Sequence, residues 1–115
     1  MSADCLFCKI IAGEIPANQV YADDQIFAFH DINPAAPTHI LVIPKKHIAA
    51  VKEAGEDDAE LLGRLQLQAA AIAREQGLES SGYRLVINTG DDGGQTVHHL
   101  HLHILGGRAM TWPPG

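Results

Sequence analysis

The chain has 115 residues, 46% of them hydrophobic and 19% charged, with a net charge of −6. That length suits one domain, residues 1–115, and the apolar share excludes wholesale disorder. An acidic balance with no basic cluster beyond Lys45-Lys46-His47 makes nucleic acid a poor partner, and no apolar run approaches a membrane span. The polar start Met1-Ser2-Ala3-Asp4 and only two cysteines, spaced Cys5-x-x-Cys8, lead us to expect a soluble cytoplasmic protein.

Residues 5–12 (CLFCKIIA) suit a helix of one to two turns, capped by Asp4 and closed by Gly13. After Pro16, strand-like pieces follow at 19–22 and 25–31, with Asp23-Asp24 as a tight turn between them. Residues 33–38 (NPAAPT) form a proline-punctuated loop, and His39–Ile43 reads as a buried strand stopped by Pro44. From Asp57 to Gln76 the periodicity becomes helical: Leu61, Leu62, Leu65, Ala69, Ile72 and Ala73 form one apolar stripe. Asp57 with Glu60 resembles a capping box, and Gly77 is a natural stop. Tyr83–Asn88 and His99–Leu105 read as strands, joined by the glycine-rich loop 89–95. The order predicts an α+β domain with a largely antiparallel, five-stranded sheet, one long helix and a short N-terminal helix.

Histidine is the unusual residue: seven in all, four of them within 98–103. On a strand His99, His101 and His103 share one face, leaving Leu100, Leu102 and Ile104 to bury on the other. A half-exposed strand with a polar face would explain one such histidine, but strict alternation of three is a poor match for chance. The glycines at 93 and 94 let backbone N–H groups converge on an anion, although hairpins also need glycine. A neutral imidazole can attack phosphorus and later be displaced by water, while its neighbours donate hydrogen bonds to the phosphoryl oxygens. Phosphoryl or nucleotidyl transfer follows from these residue types; the substrate does not.

The segment His99-Leu100-His101-Leu102-His103-Ile104-Leu105 resembles the histidine-triad signature, His-φ-His-φ-His-φ-φ with φ apolar. FCKIIAGEIPA, DINPAAPTHILVIPKKHI and GGQTVHHLHLHILGGRAMTWPPG extend the similarity from about residue 5 to the last residue. The Trp-Pro-Pro-Gly ending is similar to the Hint branch of that family. The resemblance implies a histidine-triad fold, a homodimer whose sheets join, and hydrolysis of purine nucleoside 5′-phosphoramidates, AMP or GMP derivatives. It casts His101 as nucleophile, His103 as its phosphate-contacting partner, and His99 and His39 as the remaining histidines of the cluster. Asp31 matches the ribose-binding carboxylate, and Leu6, Phe7, Ile32 and Leu41 match the base pocket. Asn88, Gln95, Thr96 and Val97 match positions around the phosphate. Trp112, in the tail 106–115, is expected to reach the partner subunit.

Two departures from the branch stand out. His98 replaces the usual tyrosine and falls on the opposite face from the triad, and Thr96 replaces serine but keeps the hydroxyl. His30 and His47 lie outside the motif and are given no chemistry. The Cys5/Cys8 pair is open to three readings: a redox pair, half of a zinc site, or two small buried apolar side chains. Relatives in the wider family complete a structural zinc site with two histidines, which by position are His39 and His99 here. The alternatives to a phosphoramidase are a dinucleoside polyphosphate hydrolase or nucleotidyl transferase using the same triad, or a non-catalytic nucleotide- or metal-binding protein.

Overall fold

A computed structural model describes residues 4–115; the polar start at residues 1–3 lies outside the described residues. The elements are α1 (Leu6–Ile11), β1 (Gln19–Ala22), β2 (Ile26–His30), β3 (Thr38–Pro44), α2 (Ala59–Glu75), β4 (Tyr83–Ile87) and β5 (Leu102–Gly106). The strands form one antiparallel sheet in the order β1-β2-β3-β5-β4. The α+β architecture expected from the pattern is therefore present, with the long helix on one face and α1 on the other. Among the described residues no helix is long and apolar enough to cross a membrane.

Alternation along the strands divides the apolar residues between two cores. Ile40, Val42, Leu100, Leu102 and Ile104 bury against Leu65, Ala69, Ile72 and Ala73, the inner stripe of α2. Phe27, Phe29, Leu41 and Ile43, on the opposite face, pack with Cys5, Phe7, Cys8 and Ile10 of the α1 region. The sheet thus carries its polar histidine face toward the smaller helix. That face is where a ligand can be reached.

Several boundaries differ from expectation. Cys5, not Asp4, caps α1: its Sγ accepts the backbone N–H of Cys8 at 3.3 Å. Gly13 closes that helix at φ +80, as its lack of a side chain permits. Asp58 rather than Asp57 opens α2, after a 3-10 turn over Glu56–Asp58. Its carboxylate accepts the Gly55 N–H at 3.0 Å and the Lys46 ammonium at 2.6 Å. The last strand begins only at Leu102, whose partner is Val42, so His99 and His101 precede the ladder.

Candidate active site

A cavity of about 330 Å³ opens on the α1 face of the sheet. Leu6, Phe7, Asp31, Ile32, Leu41, Thr96, Val97, His101 and His103 line it, so most residues expected at a nucleotide site are brought together. Sequence reasoning missed Ile10, Ile15, Phe29 and His30 in that lining. The first three carry only a core signature and cannot be told from core by pattern. Ile32, an apolar side chain, is 90% exposed at the rim. Asn88 and Gln95 do not line the cavity. The Gln95 amide is spent inside the protein: it accepts the Gly90 N–H and donates to the carbonyls of Ala49 and Val97. Gln95 therefore shapes the glycine loop rather than presenting its own amide. Gly93 serves that turn too, since a Cβ there would sit 2.4 Å from the Thr89 carbonyl oxygen.

Hydrogen bonds to the backbone fix the tautomers of the imidazoles. His101 Nδ1 lies 2.7 Å from the carbonyl of His99. A carbonyl only accepts, so Nδ1 carries the proton and Nε2 keeps its lone pair. The Ala35 N–H donates to His39 Nδ1 at 3.0 Å, which places the His39 proton on Nε2. His39 Nε2 is 2.9 Å from His103 Nδ1 and 3.4 Å from Asp31 Oδ2, and the shorter contact takes most of that proton. His103 then carries its own proton on Nε2. That atom is the single buried side-chain nitrogen or oxygen without a hydrogen-bond partner among the described residues. An unmet donor of this kind costs about 1–3 kcal/mol, and a ligand oxygen would remove the cost.

Burial lowers the pKa of all these rings. His101 is lowered by burial, against the bond to the His99 carbonyl and the nearby Asp31 charge. His39 is lowered by burial, partly offset by Asp31. His103 is pushed down to about 4, by burial first and then by His101 and His39. At neutral pH all three are neutral, as a nucleophile and a neutral donor require. Asp31 has two duties: Oδ1 accepts the Asn33 N–H at 2.8 Å, forming a turn, while the side chain also faces the cavity.

The second cluster corrects the expected metal set. His39 belongs with Asp31 and His103, whereas His47 joins Cys5, Cys8 and His99. The reason is the sheet register: His39 pairs with Leu105 at the far end of β3, while His47 follows Pro44 at the end beside His99. No spacing signal in the sequence distinguishes these two ends of β3. His99 Nε2 donates to the Pro44 carbonyl at 2.8 Å, so its Nδ1 is a lone pair. It points at Cys5 Sγ (3.3 Å), Cys8 Sγ (3.6 Å) and His47 Nδ1 (3.1 Å), with Cys8 Sγ to His47 Nδ1 at 3.4 Å. A zinc tetrahedron with bonds near 2.3 Å to sulfur and 2.0–2.1 Å to nitrogen has N–N and N–S edges of about 3.3–3.6 Å. The four side chains fit that donor set and could hold a metal such as zinc. His98 is exposed and outside both clusters.

The HIT domain family matches residues 12–110. An uncharacterized HIT-like protein of Synechococcus elongatus is 58% identical over the whole of both chains. The solved structure of a HIT family hydrolase from Legionella pneumophila is 57% identical, with a TM-score of 0.96, covering 97% of this chain and 100% of that one. A histidine triad nucleotide-binding protein from Candida albicans is 30% identical, with a TM-score of 0.82, covering 96% of this chain and 83% of that one. The chain belongs to the HIT domain family.

Proposed function

We propose that the protein is a nucleotidyl hydrolase of the Hint type, cleaving purine nucleoside 5′-phosphoramidates through a nucleotidyl-histidine intermediate. The observation that carries this reading is the pair of oriented imidazoles at one cavity: a lone pair on His101 Nε2 beside an unmet N–H on His103 Nε2. The Legionella relative's name as a hydrolase and the Candida relative's as a nucleotide-binding protein support the same class.

The purine sits among Leu6, Phe7, Ile32 and Leu41, and Asp31 takes the ribose hydroxyls as an acceptor. Thr96 and His103 donate to the α-phosphate oxygens. His101 Nε2 attacks phosphorus, the P–N bond breaks, and the amine departs carrying a proton taken up from solvent. Water then attacks the phosphorus, the bond to His101 Nε2 breaks, and the nucleoside monophosphate and a proton are released. Asn88 and Gln95 act, on this reading, through the loop that carries Thr96. A zinc ion at Cys5, Cys8, His47 and His99 would supply a closed structural centre that ties α1 to the sheet.

Trp112 is 81% exposed in the tail 106–115, and a bare indole of that kind suits docking on a second copy. We therefore read the working unit as a homodimer; a monomeric mass in sedimentation would reject this. The test of the chemistry is AMP release from an adenosine 5′-phosphoramidate by the wild type and by His101→Ala. Wild-type release that disappears in the variant, with AMP still bound, supports the assignment. Release from a dinucleoside polyphosphate or a sugar nucleotide alone moves the substrate within the same chemistry. Binding of AMP without any turnover assigns a nucleotide-binding role instead.

A further inference from the structure

We propose that the Cys5/Cys8/His47/His99 cluster positions the nucleophile, acting on His101 through the main-chain carbonyl of His99. The inference rests on the reading of His101 as nucleophile and extends it to His47, a residue that does not line the nucleotide cavity.

The ladder between β3 and β5 ends at Val42 and Leu102, so no strand pairing holds residues 99–101 in place. Two bonds replace it: the Leu100 N–H donates to the Ile48 carbonyl at 2.7 Å, and His99 Nε2 donates to the Pro44 carbonyl at 2.8 Å. The other ring nitrogen of His99 faces the cysteines and His47. Thus the ring of His99 is pinned on both sides, and it is fully buried. The carbonyl of this same residue accepts the His101 Nδ1–H at 2.7 Å and so decides which nitrogen of His101 is free to attack. Phe7 adds a second link, packing edge-on against both His99 and His101 with ring centroids 5.9 and 5.1 Å away. Its helix is capped by Cys5, whose thiol belongs to the cluster. Freeing the His99 ring unfastens the acceptor that fixes the nucleophile's tautomer, while Asp31, His39 and His103, in their own hydrogen-bonded group, keep their places.

The test compares wild type, His47→Ala and His47→Cys, the last of which restores a fourth ligand. Zinc content, kcat on an adenosine phosphoramidate, AMP affinity and the ¹⁵N shifts of the His101 ring at one fixed pH are measured on each. We expect one zinc per wild-type chain, loss of zinc in His47→Ala, and a fall in kcat of about tenfold or more. AMP affinity should fall much less, the His101 shifts should show both tautomers, and His47→Cys should recover zinc and kcat. If His47→Ala does not fold, wild-type protein stripped by a chelator and reloaded with zinc makes the same comparison. Unchanged kcat and tautomer in zinc-free protein overturn the proposal, as does a wild type that binds no zinc. A fall in AMP affinity as large as that in kcat overturns it too, because the cluster would then only hold the base pocket together. If the wild type hydrolyses no phosphoramidate, the proposed substrate fails, and the ¹⁵N shifts alone still judge the positioning of His101.

Discussion

On the proposed chemistry, acid should abolish turnover at a lower pH than an unperturbed histidine would. The perturbation is pH alone, and His103 sets the magnitude. Its pKa falls from 6.5 to about 4, first through burial and then through the neighbouring His101 and His39. At pH 6 an unperturbed imidazole is about three-quarters protonated, whereas one titrating near 4 is only about 1% protonated. His39 shifts in the same direction for the same first reason. The neutral relay from Ala35 through His39 to His103 therefore survives to lower pH, and because burial lowers His39, His101 and His103 alike, the acid limb of kcat/KM on the phosphoramidate should have its midpoint below 6.5. An acid limb with its midpoint at or above 6.5 would refute the burial argument. Stability has the matching sign. The folded pKa is depressed, so the unfolded chain takes up the proton first; stability is complete above pH 6.5 and declines as pH falls toward 4. At about 1.4 kcal/mol per pKa unit the shift corresponds to roughly 3 kcal/mol. Solvent screening of this half-buried ring reduces it to on the order of 1–2 kcal/mol. Urea midpoints at pH 7 and pH 5 read about half of that loss, and equal midpoints would contradict it.

Three substitutions probe the remaining parts. Ala35→Pro removes the N–H that fixes His39 and should lower kcat/KM about tenfold, the equivalent of one lost hydrogen bond near 1.4 kcal/mol; an unchanged rate would sink the relay. Gln95→Leu strands the Gly90 N–H and the Ala49 and Val97 carbonyls, and urea unfolding should show a loss of about 2–3 kcal/mol. Asp31→Asn should weaken AMP binding several-fold by calorimetry while leaving a dideoxy analogue unaffected, a difference that vanishes if Asp31 serves only the turn to Asn33.

The parts of the fold that repeat were legible in the sequence. The stripe Leu65, Ala69, Ile72 and Ala73 buries as its spacing requires, and Leu100, Leu102 and Ile104 turn inward as alternation demands. Element ends were less legible because they depend on particular hydrogen bonds. Asp4, Asp57 and Asp58 are equally good caps by type. Only Asp58 takes the N-cap position of α2, its carboxylate turned back to Gly55 and Lys46 to close the 3-10 turn before the helix, and Cys5 displaces Asp4 because its own thiol accepts the Cys8 N–H. The cavity was legible where polar residues marked it, through Asp31, His101 and His103. It was illegible where Phe29 and Ile15 serve core and cavity together.

The exchange of His39 for His47 in the metal cluster has a deeper cause than a misplaced residue. Alternation treats 99, 101 and 103 as equivalent, and the sheet does not. His103 lies inside the ladder opposite Leu41, where His39 can reach it along the same face. His99 lies beyond the last rung, over α1, where Cys5, Cys8 and the chain leaving β3 converge. The row of three is thus divided by the point at which strand pairing stops. His103 faces the cavity, His99 faces the thiols, and His101 between them borrows its acceptor from His99 while sharing the cavity with His103. Because β5 begins only at Leu102, the backbone of His99 has no ladder partner, and its side-chain contacts with Pro44 and the cluster lie next to the carbonyl that orients the His101 ring.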